Sequence, residues 1–153
     1  MRPTQIVFAL LIMTAIGCSD GRPARLKASG QVLLNGEPLT FNGNGFVQIV
    51  PENSRPATGK INPNDGTFTL TTFENQDGVT AGTHRVTVTA MAFTSSGSTI
   101  NLLPEKYSST STSGLTVTIE KPTDSLRINL EGKLKKAPNA SRQPSFAGDD
   151  PGH

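Results

Sequence analysis

The chain contains no tryptophan, one tyrosine, one cysteine and two histidines in 153 residues. A single cysteine allows no internal disulfide, so any fold has to rest on burial and strand pairing. Hydrolytic chemistry needs a nucleophile with a base in reach and a group to orient it. His84 and His153, one at a strand start and one at the extreme terminus, do not supply that set, and the chain reads as non-enzymatic. Aromatic residues make up only 5%, which leaves Tyr107 and a few phenylalanines for stacking on sugars. Charge is also sparse, at 17% with a net of +2, and its one basic concentration is Lys133, Lys135 and Lys136. Nucleic-acid binding calls for a basic face interleaved with aromatics, so that class is excluded. No cofactor is implied.

Long apolar runs are missing too. The longest, Ile6 to Ile16, is broken only by Thr14 and is too short to cross a bilayer core of roughly 30 Å. With Arg2 ahead of it and the polar Ser19-Asp20-Gly21-Arg22-Pro23 behind, it has the form of a secretory signal peptide. The single cysteine, Cys18, stands where this run stops, preceded by Ala15-Ile16-Gly17. That arrangement resembles the bacterial lipobox, whose cysteine receives a diacylglyceryl group and fatty acyl chains such as palmitate. Ala15 departs from the leucine usual three places before the cysteine. The other reading is cleavage by the ordinary secretory peptidase, since Ala15 and Gly17 form a small-x-small site. The expected layout is a lipoprotein signal peptide over 1–17, with Cys18 as lipidation site and 18–28 as a polar tether. A domain over 29–132 and a disordered tail over 133–153, with no periodicity, complete it.

What the mature chain has in quantity is threonine, serine and glycine among short runs of valine, isoleucine and leucine. Seven segments alternate in and out with the period of a strand: Ser29–Leu34, Phe46–Pro51, Ala57–Ile61, Thr67–Phe73, His84–Ala92, Leu115–Glu120 and Ser125–Leu130. Asn35-Gly36 directly after the first is a type I′ hairpin signal, because both positions tolerate positive φ. Asn62-Pro63-Asn64-Asp65-Gly66 is a dense turn, across which Thr67–Phe73 is expected to pair with the 58–61 segment. No helix is predicted. Seven short strands separated by frequent turns specify an all-β sandwich.

Two chemical possibilities sit in the turns and termini. Asn62, Asn64 and Asp65, or Glu74, Asn75 and Asp77, offer oxygen ligands suited to Ca²⁺, but neither follows the twelve-residue loop pattern, and such turns exist for backbone reasons alone. A Lys27–Asn129 isopeptide crosslink needs a buried asparagine, whereas alternation puts Asn129 on the face opposite Leu126, Ile128 and Leu130.

The string Ser29-Gly30-Gln31-Val32-Leu33-Leu34-Asn35-Gly36-Glu37-Pro38-Leu39 resembles the opening of carboxypeptidase regulatory-like domains. Asn64-Asp65-Gly66-Thr67-Phe68, Ala81-Gly82-Thr83-His84 and Leu103-Pro104-Glu105-Lys106-Tyr107 resemble later parts of the same pattern, in the same order. The resemblance implies a transthyretin-like or immunoglobulin-like β-sandwich, of the kind found alone in small bacterial lipoproteins, and no peptidase activity. The expected role is that of an exported, lipid-anchored envelope protein with a structural or protein-interaction function. The alternative is a carbohydrate- or peptide-binding module working through a loop such as Phe93–Ser113. The partners implied are a membrane through the anchor, and envelope proteins or polysaccharide.

Overall fold

The computed structural model describes residues 23–94 and 96–136; residues 1–22, which include the expected signal peptide and Cys18, and residues 95 and 137–153 lie outside this range. Eleven strands follow one another: β1 (Arg25–Leu26), β2 (Ala28–Leu34), β3 (Glu37–Pro38), β4 (Asn44–Val50), β5 (Ala57–Ile61), β6 (Thr67–Thr69), β7 (Val79–Thr80), β8 (Gly82–Phe93), β9 (Thr99–Asn101), β10 (Leu115–Ile119) and β11 (Thr123–Leu130). One turn of 3-10 helix, Glu105–Ser108, interrupts them. Each of the seven segments expected from alternation falls on a strand; β1, β3, β7 and β9 are additional and only two or three residues long.

Two main sheets form. The larger runs β10-β8-β4-β5, with β9 beside the far half of β8, and is antiparallel throughout. The smaller runs β11-β2-β3, with β6 also on β2. A two-stranded patch, β1-β7, closes one side. The architecture is all-β and sandwich-like.

The core lies between the sheets because each long strand turns one face inward. On β4 the buried side chains are Val47 and Ile49; on β5, Ala57 and Ile61; on β8, Val86, Val88, Ala90 and Ala92. The smaller sheet answers with Val32, Phe68, Ile128 and Leu130. These form one cluster, so the two sheets share a single interior. Burying a side chain of this size contributes about 1.5–3 kcal/mol, which makes strict alternation the strongest constraint on register.

β2 and β11 are parallel, so the first long strand is sealed by the last, with Ala28 opposite Thr123 and Leu34 opposite Leu130. The register shifts between Thr123 and Leu126. Gly30 sits at that shift, where any Cβ would overlap the Leu126 backbone.

One expected pairing is met only in part. The Thr67–Phe73 segment meets β5 at the Thr58–Thr71 bridge and through the Asn62–Thr67 bond beside the turn, without a continuous ladder between them. Its first residues, as β6, pair with β2, Thr69 opposite Ser29 and Thr67 opposite Gln31. Only an isolated bridge, Thr58 with Thr71, links it to β5 within the strands. At the 62–66 turn the main ladder passes from β5 to β2, and Phe68 and Leu70 point into the shared core.

Two stretches expected as linker and tail are joined to the body. Arg25–Leu26 pairs with Val79–Thr80. Beyond Gly132, Leu134 packs against the core and the Lys135 amide donates to the Leu102 carbonyl at 2.8 Å.

Candidate functional site

The parting of β5 from β6 opens a trough along one side of the molecule. In an antiparallel pair the peptide groups of alternate residues point to opposite edges. The Thr58 amide bonds to the Thr71 carbonyl at 2.8 Å and the Asn62 amide to the Thr67 carbonyl at 2.8 Å, so residues 58, 60 and 62 all face β6. Between those two closures no ladder joins Lys60 to Thr69. The trough lies over this gap as three adjoining hollows. The central one, about 530 Å³, is lined by Lys60, Asn62, Thr67, Thr69 and Gln76 among others. It shares Thr58 and Thr71 with a hollow of about 350 Å³ at Arg55 and Gln48. At its other end it shares Ser29, Thr69 and Asp124 with one of about 480 Å³ that reaches Lys27. Hydroxyls and amides dominate the walls.

Beside the Arg55 end of the trough stands a cluster around Phe73 and Asp77. The guanidinium carbons of Arg25 and Arg55 lie 5.0 and 5.4 Å from the centre of the Phe73 ring. Asp77 accepts from the amides of Thr72 at 2.7 Å and Phe73 at 3.1 Å, and its Oδ2 stands 2.7 Å from Arg25 Nε. Partial burial raises the Asp77 pKa, but the amides of Thr72, Glu74 and Phe73 together with Arg25 outweigh that effect and hold it below the ordinary 3.8. The other turn carboxylate, Asp65, is lowered as well, by the Thr67 amide first and the Thr67 hydroxyl second, against a small opposing effect of burial.

Several of the oxygens that suggested Ca²⁺ are engaged within their own turns. Asn62 Oδ1 accepts from the Asn64 amide at 3.1 Å, and Asp65 Oδ1 from both the amide and the hydroxyl of Thr67. Asp77 is committed to its own loop and to Arg25. The carboxylates fix turn geometry.

His84 is buried, 5% exposed, on the inward face of β8. Its Nε2 lies 2.7 Å from the Thr80 carbonyl, which can only accept, so Nε2 is the donor of this bond. Nδ1 is buried without a protein partner, beside a hollow of about 350 Å³ lined by Pro23, Pro51 and Asn53. No group of three metal-ligating side chains occurs among the described residues. Lys27, between β1 and β2, and Asn129, on β11, are both exposed, in line with the alternation argument.

Tyr107, counted above as available for stacking, is buried at 3%. Its hydroxyl donates to the Glu131 carbonyl at 3.2 Å and accepts from the Glu131 amide at 2.8 Å. Much of the 93–113 stretch is likewise structural, since Leu102, Leu103 and Ser113 are buried and β9 pairs with β8. Sequence reasoning missed the trough, although the close-set Thr67, Thr69 and Thr71 hinted at a polar surface.

A second exposed feature lies on the outer face of the larger sheet. Phe46, Met91 and Phe93 are 42%, 37% and 62% exposed. Register places Phe46 opposite Thr89 and Met91 opposite Asn44, so they gather at one end of β4 and β8.

Comparison with known proteins returned no matching family model, no matching curated protein and no matching solved structure.

Proposed function

We propose that the chain is an exported lipoprotein, anchored to the cell envelope through Cys18, whose transthyretin-like sandwich serves a structural or protein-interaction role without catalysis. The leader and its cysteine support the address. The family resemblance supports the finer fold, and its quoted segments coincide with the β2–β3 hairpin, the 62–66 turn and the start of β8.

The observation that carries the interaction role is the strip of Phe46, Met91 and Phe93. Exposed apolar side chains clustered on a flat sheet are what a partner covers. The position of the strip favours a protein over the anchoring bilayer. Four residues lie between Cys18 and Pro23, and the five steps from one to the other reach at most roughly 17 Å at full extension. Pro23 shares a hollow with Pro51 and Gly82–His84. From Gly82 to Met91 the strand rises roughly 30 Å. A body held at its Pro23 end would therefore present the strip away from the membrane.

Fractionation tests the address: Cys18→Ser should leave the membrane fraction and stop incorporating labelled lipid. Equal labelling of the variant would end the proposal. Crosslinking in envelope extracts tests the role. A Met91→Glu/Phe93→Glu variant should lose the protein partners held by the wild type, and an unchanged partner set would remove the strip from the argument.

The trough favours a second reading, a ligand-binding module for carbohydrate or peptide. Its polar walls and its position at two strand edges suit a ligand laid along the surface.

A further inference from the structure

We propose that the trough between β5 and β6 is a binding site for a carboxylated polysaccharide. The proposal rests on the second reading above, and it chooses between the ligand classes that reading leaves open.

Charge comes first. Arg55, Lys60 and Lys27 stand in succession along the three hollows, against the single carboxylate of Asp124. No carboxylate pairs with any of the three cations among the described residues. Arg55 is held over the Phe73 ring, which orients its guanidinium before a ligand arrives. A planar guanidinium grips a carboxylate through two parallel hydrogen bonds, and a spaced series of cations suits a polymer bearing carboxylates at intervals.

The edge geometry then argues against a peptide. An added strand needs a run of unpaired main-chain groups along an exposed edge. Thr58 and Asn62 have their edge-facing amides committed to Thr71 and Thr67, which leaves only Lys60 on this side of β5. One residue cannot support a ladder.

The remaining lining decides what kind of acid fits. The Thr67 hydroxyl already donates to Asp65, while Thr58, Thr69, Thr71 and Ser29 supply hydroxyls and Asn62 and Gln76 supply amides. These groups both donate and accept, as sugar hydroxyls do. Arg25 and Arg55 both approach the Phe73 ring, which stays 38% exposed, and the trough lining itself offers hydrogen bonds and charge.

Polygalacturonate, the same polymer with its carboxylates methyl-esterified, and polyglutamate are the probes, titrated against the full chain purified in detergent. Polygalacturonate should bind, and should weaken about tenfold or more in Arg55→Gln and again in Lys60→Gln, because each removes a charge-assisted contact. Asp124→Asn should bind more tightly, since it deletes the one opposing charge. Melting temperatures of all three variants within a degree or so of wild type would confirm that the effects belong to binding. Equal binding of the esterified polymer would overturn the acidic assignment while leaving the trough a sugar site. Equal binding of polyglutamate would overturn the polysaccharide assignment. Binding of none of the probes would overturn both this proposal and the ligand-binding reading.

Discussion

Asn35 shows how much one residue can do beyond what its neighbours announce. Asn35 and Gly36 take φ of 52° and 87°, the positive values a two-residue hairpin turn requires, and Leu34 pairs with Glu37 across it. That much is legible in the dipeptide. The side chain also ties the turn to the far end of the domain. Its Nδ2 donates to the Gly132 carbonyl at 2.8 Å, and its Oδ1 accepts from the Gly132 amide at 3.1 Å. Nothing local in the sequence reveals a partner 97 positions away. Asn35→Ala should lose both bonds and strain the backbone, costing about 2–3 kcal/mol, whereas Asn35→Gly should lose the bonds alone and cost less. Urea midpoints of the two variants check the order. Asp77 contributes to the acid dependence alongside Asp65. Its folded carboxyl titrates below 3.8, so the unfolded chain binds more protons between the two values. The stability it contributes is complete above about pH 4 and is lost as pH falls through the depressed folded value. Stability measured from about pH 6 down to about pH 2 should therefore fall less steeply in Asp77→Asn. That variant should also be weaker at the upper end of the range, because it loses the Arg25 pair.

At the level of the strand, alternation was a good guide to where strands lie and a poor one to what they pair with. Phe68 and Leu70 are buried and Thr67 and Thr69 exposed, as the period of two requires. That period is silent on whether the buried face belongs to β5's sheet or β2's, because both sheets line the same core. Turn proximity suggested β5, and the segment instead ladders with β2 on one edge while keeping only the Thr58–Thr71 and Asn62–Thr67 bonds on the other. The four additional strands are two or three residues long, too short for any period to register. The trough was unreadable for the same reason, since it exists only because two segments adjacent in sequence join different sheets. Gly30 marks a close approach of the same nonlocal kind, with the Leu126 backbone over its α-carbon. Gly30→Ala should force β11 away from β2 and cost about 1–3 kcal/mol, read as a lower denaturant midpoint. An unchanged midpoint would mean the strands give way freely there.

The described residues share one interior, with the sheets, the 3-10 turn and the Leu134 segment all resting on a single apolar cluster. Tyr107 lies within it as the sole tyrosine of a chain without tryptophan. Its fluorescence therefore reports one known place, the junction of the 3-10 turn with the end of β11. If the body is one cooperative unit, tyrosine emission and the far-ultraviolet strand signal should share a single unfolding midpoint. Two separated midpoints would show that the C-terminal junction opens by itself.

The parallel union of β2 with β11 also sets an order in time. A polypeptide delivered N-terminus first, whether from a ribosome or through a translocation pore, offers β2 long before its permanent neighbour arrives. Closing a loop of roughly a hundred residues is slow compared with forming a local hairpin. Until Leu130 emerges, one side of β2 stays open, so the smaller sheet is necessarily the late event in maturation. A chain cut short after Glu120 would have to remain incomplete.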